Sequence, residues 1–320
     1  MRTIFHTKLL FDAKYPCLLF FLCLVTYLSS TFTSLHKEYE RFITVVTYTE
    51  KDQKYIDSVK SELSHLIINF QFEVKSFQDI PVTIHIAPDF KTYKEWIADK
   101  EAVFESSLAF ADLAKNDIYI LHPTNVKDNK RFIRTLLHEY IHIFIHETWH
   151  DAPLWFHEGM ATYFSEGVTF THIMQFMTNN AFHNKYLLHK HAHTYPVYKR
   201  DIEPFYFQSV MLIKRAFDDD KKRFLLLFEI GNLSESFEET FQSSFNMTID
   251  DLLTSFSLYM AVFFRMSLYK GIILCSWLIF PILLLIARIR KEVKTRKLLK
   301  EWDKESQLSP TESHTMPSGE

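Results

Sequence analysis

The chain has 320 residues, of which 47% are hydrophobic, 23% are charged and 16% are aromatic, enough apolar material to exclude a disordered chain. It contains five glycines, which excludes a Gly-rich phosphate loop and the nucleotide chemistry that depends on one. The formal net charge of -3 gives no case for nucleic-acid binding, so no nucleic-acid partner is expected.

The first apolar segment, residues 15–35, has no charged side chain and follows Arg2, Lys8 and Lys14. This pattern is typical of a signal peptide or of an uncleaved signal-anchor. The exit from the segment lacks an A-x-A cleavage pattern, which favours the anchor. Residues 1–36 are therefore predicted to target the chain to a membrane, with the basic N-terminus on the cytoplasmic side.

Strand signals dominate the next part of the chain, residues 37–126. Residues 41–48 read as one strand and residues 117–121 as another. Between them, residues 82–86 alternate apolar and polar side chains, as a half-buried strand does. We therefore predict an α+β fold, in which a small mixed sheet with helices precedes a mainly helical half at residues 127–265.

A helix is predicted to follow the first strand. It begins near Thr49, and Asp52 completes a capping-box pattern. Its apolar residues recur at steps of three and four and so share one face: Ile56, Val59, Leu63, Leu66, Ile67 and Phe70.

The clearest chemical motif lies in residues 132–147, which read as a largely apolar helix. His138, Glu139 and His142 form an H-E-x-x-H motif. Two histidines four residues apart lie on one helix face, so their imidazoles can bind one Zn²⁺ at about 2.0–2.1 Å. Glu139 can then reach a metal-bound water and act as a general base. Burial of these polar groups without a partner would be costly, and a metal ion removes that cost.

A catalytic zinc site needs a third protein ligand and one open position. His146 and His150 continue the four-residue spacing. However, eight residues along a helix span about 12 Å, which is too far for His138 and His146 to share an ion. The metzincin pattern requires glycine and histidine where this chain has Ile145 and Thr148, so that class is excluded.

A second helix is predicted for residues 153–164, after a short connection, and it carries His157 and Glu158 as further candidate ligands. An antiparallel neighbour joined by a short loop can aim such a side chain at the open side of the ion. Adjacent helix residues point about 100° apart, so only one of these two can face the metal.

The two helices together resemble a known family. His-Glu-x-x-His at residues 138–142 followed by Trp-Phe-x-Glu-Gly-x-Ala at residues 155–161 is similar to the pattern of the gluzincin metallopeptidases, within the peptidase MA-like group that contains thermolysin. The resemblance covers residues 40–260. It implies that the third ligand of a single Zn²⁺ is Glu158 rather than His157, and that the helical half is a zincin subdomain.

The resemblance also implies an oxyanion-stabilising tyrosine at the start of a later helix. That role maps onto Tyr206, and Tyr195 and Tyr198 lie close by as alternatives. By analogy to the fold, strand 117–121 is expected to pair with an extended substrate. Thermolysin-like members have an aspartate where this chain has Thr162. No Gly-x-Met-Glu-Asn exopeptidase motif is present, which favours an endopeptidase.

The second apolar segment is predicted to be a transmembrane helix at residues 266–289, uncharged from 271 to 287. A basic cluster follows it: Arg288, Arg290, Lys291, Lys294, Arg296, Lys297 and Lys300. By the positive-inside rule, this cluster and the tail at residues 290–320 are cytoplasmic, and residues 37–265 are outside the cell membrane. Residues 301–320 are predicted to be disordered.

The sequence thus predicts a membrane-anchored zinc metallopeptidase that hydrolyses peptide bonds through a zinc-bound water, with Glu139 as the general base. The expected partners are a peptide or protein substrate and membrane lipid. A catalytically inactive zincin-fold membrane protein, acting as a binding or regulatory module, is the alternative. A structural zinc site closed by His146 or His157 is another. Histidines 183, 189, 191 and 193 are expected in a solvated loop, and the alternative is that one of them lies in the active site or in an accessory metal site.

Overall fold

The computed structural model describes residues 40–47, 53–98, 108–123, 129–174, 177, 187–231 and 236–308. The predicted signal peptide or anchor at residues 1–36 lies outside this part of the chain. The chain divides into two compact units, Met1–Ser257 and Leu258–Glu320. The first contains a small mixed sheet and most of the helices, an α+β arrangement.

Four strands form one sheet in the order β1-β2-β4-β3. They are β1 Ile43–Thr47, β2 Val82–Ala87, β3 Ala109–Asp112 and β4 Asp117–Leu121. β1, β2 and β4 are parallel, whereas β3 is antiparallel to β4. The first strand begins later than predicted, because a turn of 3-10 helix at Glu40–Phe42 precedes it.

The middle of the sheet confirms the predicted strands. Val82, Ile84 and Ile86 of β2 are buried, while the intervening side chains are half-buried, and β4 has the predicted bounds. Two elements were missed. β3 contains only one residue that favours strands, Phe110, and no β-branched residue, so it carries little strand signal. Helix α2, Phe90–Ile97, is short and is capped by the Asp89 side chain.

Helix α1, Gln53–Val74, supports the helix that carries the H-E-x-x-H motif. Its predicted apolar face is buried except for Leu66, which is half-buried. The ring of Phe70 packs edge-on against the ring of Phe144, with the centroids 5.0 Å apart. The Gln71 side-chain amide donates a hydrogen bond to the Tyr140 hydroxyl at 2.8 Å. The predicted start of α1 near Thr49 lies outside the described residues.

Further helices of the first unit are α3 Asn129–Thr148, α4 Leu154–Ser165, α5 Lys199–Asp219, α6 Lys221–Gly231 and α7 Phe237–Phe245. The first two confirm the predicted helices at residues 132–147 and 153–164. The connection between them is held by buried aromatic rings. The ring centroid of Trp149 lies 5.3 Å from that of Phe237, and the ring centroid of Phe156 lies 4.7 Å from it. Each such buried side chain contributes about 1.5–3 kcal/mol.

Helix α8, Ile249–Leu308, runs from the first unit into the second. Within the described residues it is the one helix long and apolar enough to cross a membrane, with a mean hydropathy of 2.5 over a window of which none is buried. It contains the predicted transmembrane segment at residues 266–289. The side of the membrane on which each end lies stays a prediction.

The predicted disorder of the tail is wrong for residues 301–308, where α8 continues as a helix. Five of these eight residues are good helix formers: Glu301, Lys304, Glu305, Gln307 and Leu308. Arg288 and Glu292, one turn apart, pair at 3.3 Å. Residues 309–320 lie outside the described part of the chain.

Candidate metal centre

The two histidines of the H-E-x-x-H motif lie one turn apart on α3. The ring centroids of His138 and His142 are 4.8 Å apart, with the ring planes at 76°. Both side chains are half-buried at the wall of a cavity. The four-residue spacing therefore places both imidazoles on one face, as the sequence predicts.

Helix α4 brings a carboxylate to this pair. Glu158 Oε2 lies 3.6 Å from His138 Nε2 and 3.8 Å from His142 Nε2. One ligand atom from each of the three side chains lies within 4.8 Å of the others. No other group of three or more such residues occurs in the described part of the chain. The structure therefore brings together the three side chains predicted as ligands, and they can hold a metal ion.

The burial of Glu158 indicates that a cation fits there. Its side chain is 1% exposed, and Oε2 has no hydrogen-bond partner among the described residues. A buried carboxylate oxygen without a partner is costly, and a cation between it and the two imidazoles removes the cost. Two histidines and a glutamate are also the ligand set of one class of catalytic zinc site.

A close contact between α4 and α5 sets the position of Glu158. A Cβ atom on Gly159 would lie 2.6 Å from both the Ser209 carbonyl oxygen and Ile213 Cγ1. Such a distance is too short for any side chain, so glycine is required at this crossing. The neighbouring Glu158 is held at the depth of the two histidines because the helices approach this closely.

Two of the three candidate tyrosines lie in the cavity. Tyr195 donates a hydrogen bond from its hydroxyl to Glu158 Oε1. Tyr206, on α5, lines the same cavity. Tyr198 is 59% exposed and is not among the cavity-lining residues. Burial, and then the charge of Glu158, raise the pKa of both cavity tyrosines well above the usual range, so both hydroxyls stay protonated donors.

Glu139 lines the cavity beside the histidines. Burial raises the pKa of its carboxyl to about 7. The negative charge of Glu158 also raises this pKa. The charge of His138 and a hydrogen bond from the Ala111 backbone N–H lower it, but their effect is smaller. A carboxyl with a pKa near neutrality can both accept and return a proton at neutral pH.

The pKa values of the three candidate ligands are shifted in different directions. Burial lowers the pKa of His142 to about 4, so this imidazole is neutral and its nitrogen can bind a metal. For His138, burial lowers the pKa, but Glu158 and Glu139 outweigh that effect and raise it. For Glu158, burial raises the pKa, but the two histidines and Tyr195 outweigh it and lower it to about 2.

The other histidines near α3 stay outside the ligand group. His157 is buried and stacks on His142 with ring centroids 5.7 Å apart, and burial lowers its pKa to about 3. His146 and His150 stack on each other at 4.6 Å, farther along α3. None of these three belongs to the ligand group found among the described residues.

The cavity has a volume of about 330 Å³. Besides the candidate ligands, Glu139 and the two tyrosines, its lining is Ala109, Phe110, Ala111, Leu113, Ala152, Leu154, His157 and His193. The first three belong to β3, which sequence reasoning missed. The expectation that strand 117–121 pairs with substrate is wrong, because β4 lies between β2 and β3 and both of its sides are paired.

The histidine-rich segment is only partly solvated. His189 is exposed, 3.4 Å from Asp250, and His193 is exposed at the cavity. His191 is buried against the ring of Phe205, so the predicted solvated loop is wrong for this residue. His183 lies outside the described residues.

No protein-family model and no curated protein matches this chain. The resemblance to gluzincins therefore depends on the two motifs and on the geometry of the side chains that they contain.

Proposed function

We propose that this protein is a membrane-anchored zinc metallopeptidase of the gluzincin type that hydrolyses peptide bonds. The observation that carries the proposal is the convergence of His138, His142 and Glu158 within 4.8 Å. They come from two separate motifs and meet in a cavity that also holds Glu139 and Tyr206.

The residues of the cavity suit peptide hydrolysis. Zinc held by His138, His142 and Glu158 would lower the pKa of a bound water to about 7 and polarise a substrate carbonyl. Glu139 takes a proton from the attacking water and passes it to the leaving amine as the carbon–nitrogen bond breaks. Tyr206 donates a hydrogen bond to the carbonyl oxygen as negative charge develops on it.

The cavity lining favours a peptide with an apolar side chain beside the scissile bond. Phe110, Leu113 and Leu154 supply apolar surface, and the polar groups are gathered around the candidate ligands. β3 supplies part of this wall, so the substrate is proposed to lie beside β3 rather than β4. The absence of an exopeptidase motif favours cleavage within a chain.

Helix α8 supports the proposed membrane anchor. Its apolar side chains are exposed along the most apolar window, as expected for a helix that contacts lipid. A basic segment follows from Arg288, and the positive-inside rule puts that end in the cytoplasm. The zinc-binding unit is then proposed to lie on the outer side of the cell membrane.

The test uses the full-length protein in detergent. Wild type should contain about one zinc per chain by elemental analysis and should cleave members of a peptide library, and a chelator should abolish the cleavage. Glu139→Gln should keep the zinc and lose hydrolysis, because it lacks the general base. Glu147→Gln, which changes an exposed glutamate of the same helix, is the matched control and should behave as wild type.

Near wild-type hydrolysis by Glu139→Gln would remove Glu139 from the proposed role. A wild type that holds zinc but cleaves no peptide would support the alternative, a binding or regulatory module on an inactive zincin fold. Cleavage that resists complete removal of the metal would contradict the metallopeptidase itself.

A further inference from the structure

We infer that Tyr195 is a positioning residue that makes Glu158 a one-oxygen ligand and so keeps a coordination position open for water. The inference rests on the proposed metal site. It concerns a residue outside both sequence motifs, in the segment that joins α4 to α5.

The two oxygens of Glu158 have different surroundings. Oε1 accepts the hydrogen bond from the Tyr195 hydroxyl. Oε2 is the oxygen that lies 3.6 Å and 3.8 Å from the Nε2 atoms of His138 and His142, and it has no hydrogen-bond partner among the described residues. One oxygen is therefore engaged by the protein, and the other is presented to the two imidazoles.

This division matters because a carboxylate can bind a metal through one or both oxygens. A catalytic zinc site has three protein ligand atoms and a fourth position for water. A tyrosine hydroxyl is protonated at neutral pH and donates one hydrogen bond. While Tyr195 donates to Oε1, that oxygen is held away from the metal. Without the hydroxyl, the carboxylate can rotate, or it can bind the metal through both oxygens and so add a fifth ligand atom beside the position of the water.

The segment that carries Tyr195 is fastened to both helices that build the site. At the α4 side, the Leu154 backbone N–H donates to the Ala192 carbonyl oxygen at 2.6 Å. At the α5 side, the Leu187 backbone N–H donates to Gln208 Oε1 at 2.9 Å. Both partners are buried or half-buried, so these bonds are shielded from water. Tyr195 is thereby held relative to Glu158 by the same two helices.

The metal ligand that receives a supporting hydrogen bond is a different one from that in the family that the motifs resemble. Thermolysin-like members use an aspartate to orient a ligating histidine, and this chain has Thr162 at that place. Here the hydrogen-bond donor acts on the ligating carboxylate instead. Removal of such an outer partner of a metal ligand typically costs 10- to 100-fold in metal affinity.

The test measures zinc affinity by competition with a chelator, on full-length protein in detergent. Tyr195→Phe should bind zinc about 10- to 100-fold more weakly than wild type. Tyr198→Phe makes the same chemical change at an exposed tyrosine of the same segment and is expected to match wild type. Tyr195→His, which keeps a ring with an N–H donor, should bind zinc more tightly than Tyr195→Phe. Circular dichroism of the metal-free proteins checks that each variant is folded.

Cobalt(II) in place of zinc gives a second measurement. Its visible absorption weakens when a four-coordinate site gains a ligand, so Tyr195→Phe should absorb less strongly than wild type and Tyr198→Phe equally. Equal zinc affinities and equal cobalt spectra for wild type and Tyr195→Phe would overturn the inference and leave the proposed function standing. A wild type that binds no zinc, or full zinc binding by Glu158→Ala, would overturn the proposed function itself.

Discussion

Two apolar helical regions of this protein have opposite surroundings, because one is buried in the protein and the other is exposed. Helix α4 is buried over most of its length, and Glu158 is buried with it. None of the apolar window of α8 is buried, and its large side chains are exposed. The first region has a buried carboxylate oxygen, Glu158 Oε2, that accepts no hydrogen bond from the described residues, and the second has apolar surface that no described residue covers. The surroundings of each region fit its proposed partner: a cation in the first and lipid in the second.

The largest effect is expected where the buried charge is removed. Glu158→Ala deletes the ligand from α4, so stoichiometric zinc should be lost by elemental analysis, since two imidazoles alone give an incomplete site. Glu166→Ala changes an exposed glutamate just after the same helix and should retain the metal. Full zinc content in Glu158→Ala would show that the third ligand is another residue, and that the buried carboxylate of α4 does not bind the metal.

The proposed contact of α8 with lipid is tested by placing charged residues in its apolar window. The double variant Leu278→Lys and Leu283→Lys should insert poorly, because each lysine at the centre of a membrane helix costs about 2.5–3.5 kcal/mol. The measurement is the cleavage of the tail after residue 290 by protease added outside sealed cells, because the predicted anchor at residues 1–36 would hold the chain in the membrane in either case. The tail should be protected in wild type and cleaved in the double variant, whereas Val293→Lys adds a charge in the basic segment and should stay protected. A protected tail in the double variant would contradict α8 as a transmembrane helix.

The donor on α5 is expected to have a smaller effect, confined to turnover. Tyr206→Phe should lower kcat by about 10²–10³-fold, as the loss of other oxyanion donors does. Tyr198→Phe is the control, because its ring is exposed and outside the cavity lining. A decrease of less than threefold for Tyr206→Phe would transfer the role to Tyr195 or to no tyrosine.

The smallest effect compares one glycine from each region. Gly159→Ala forces a methyl group into the Ser209 carbonyl oxygen and Ile213, so a loss of about 1–3 kcal/mol in unfolding free energy is expected. Gly271→Ala adds a methyl group to α8 where no atom apart from its chain neighbours and its own helix backbone lies within 4 Å, and it should be neutral or slightly stabilising. Thermal unfolding followed by circular dichroism checks both variants. Equal melting temperatures would show that the contact of α4 with α5 is not tight.

The parts of the site that could be predicted are those set by short spacings. The positions of His138 and His142 follow from a helix with a repeat of 3.6 residues, and the buried face of α1 follows from the same repeat. Glu158 required a resemblance as well, because nothing local separates it from His157. β3 was missed because its four residues carry little strand signal, although they form part of the cavity wall.

The amino-acid sequence by itself determined the two helices that carry the motifs, the long apolar helix, and the pairing of two histidines on one face. Only the tertiary structure decided which oxygen of Glu158 faces those histidines, that Tyr195 holds the other oxygen, and that β4 is an inner strand. The physical reason is the range of the interactions. A helical repeat acts over a few residues, whereas Tyr195 meets Glu158 across 37 positions of sequence, through the packing of α4 against α5 at Gly159.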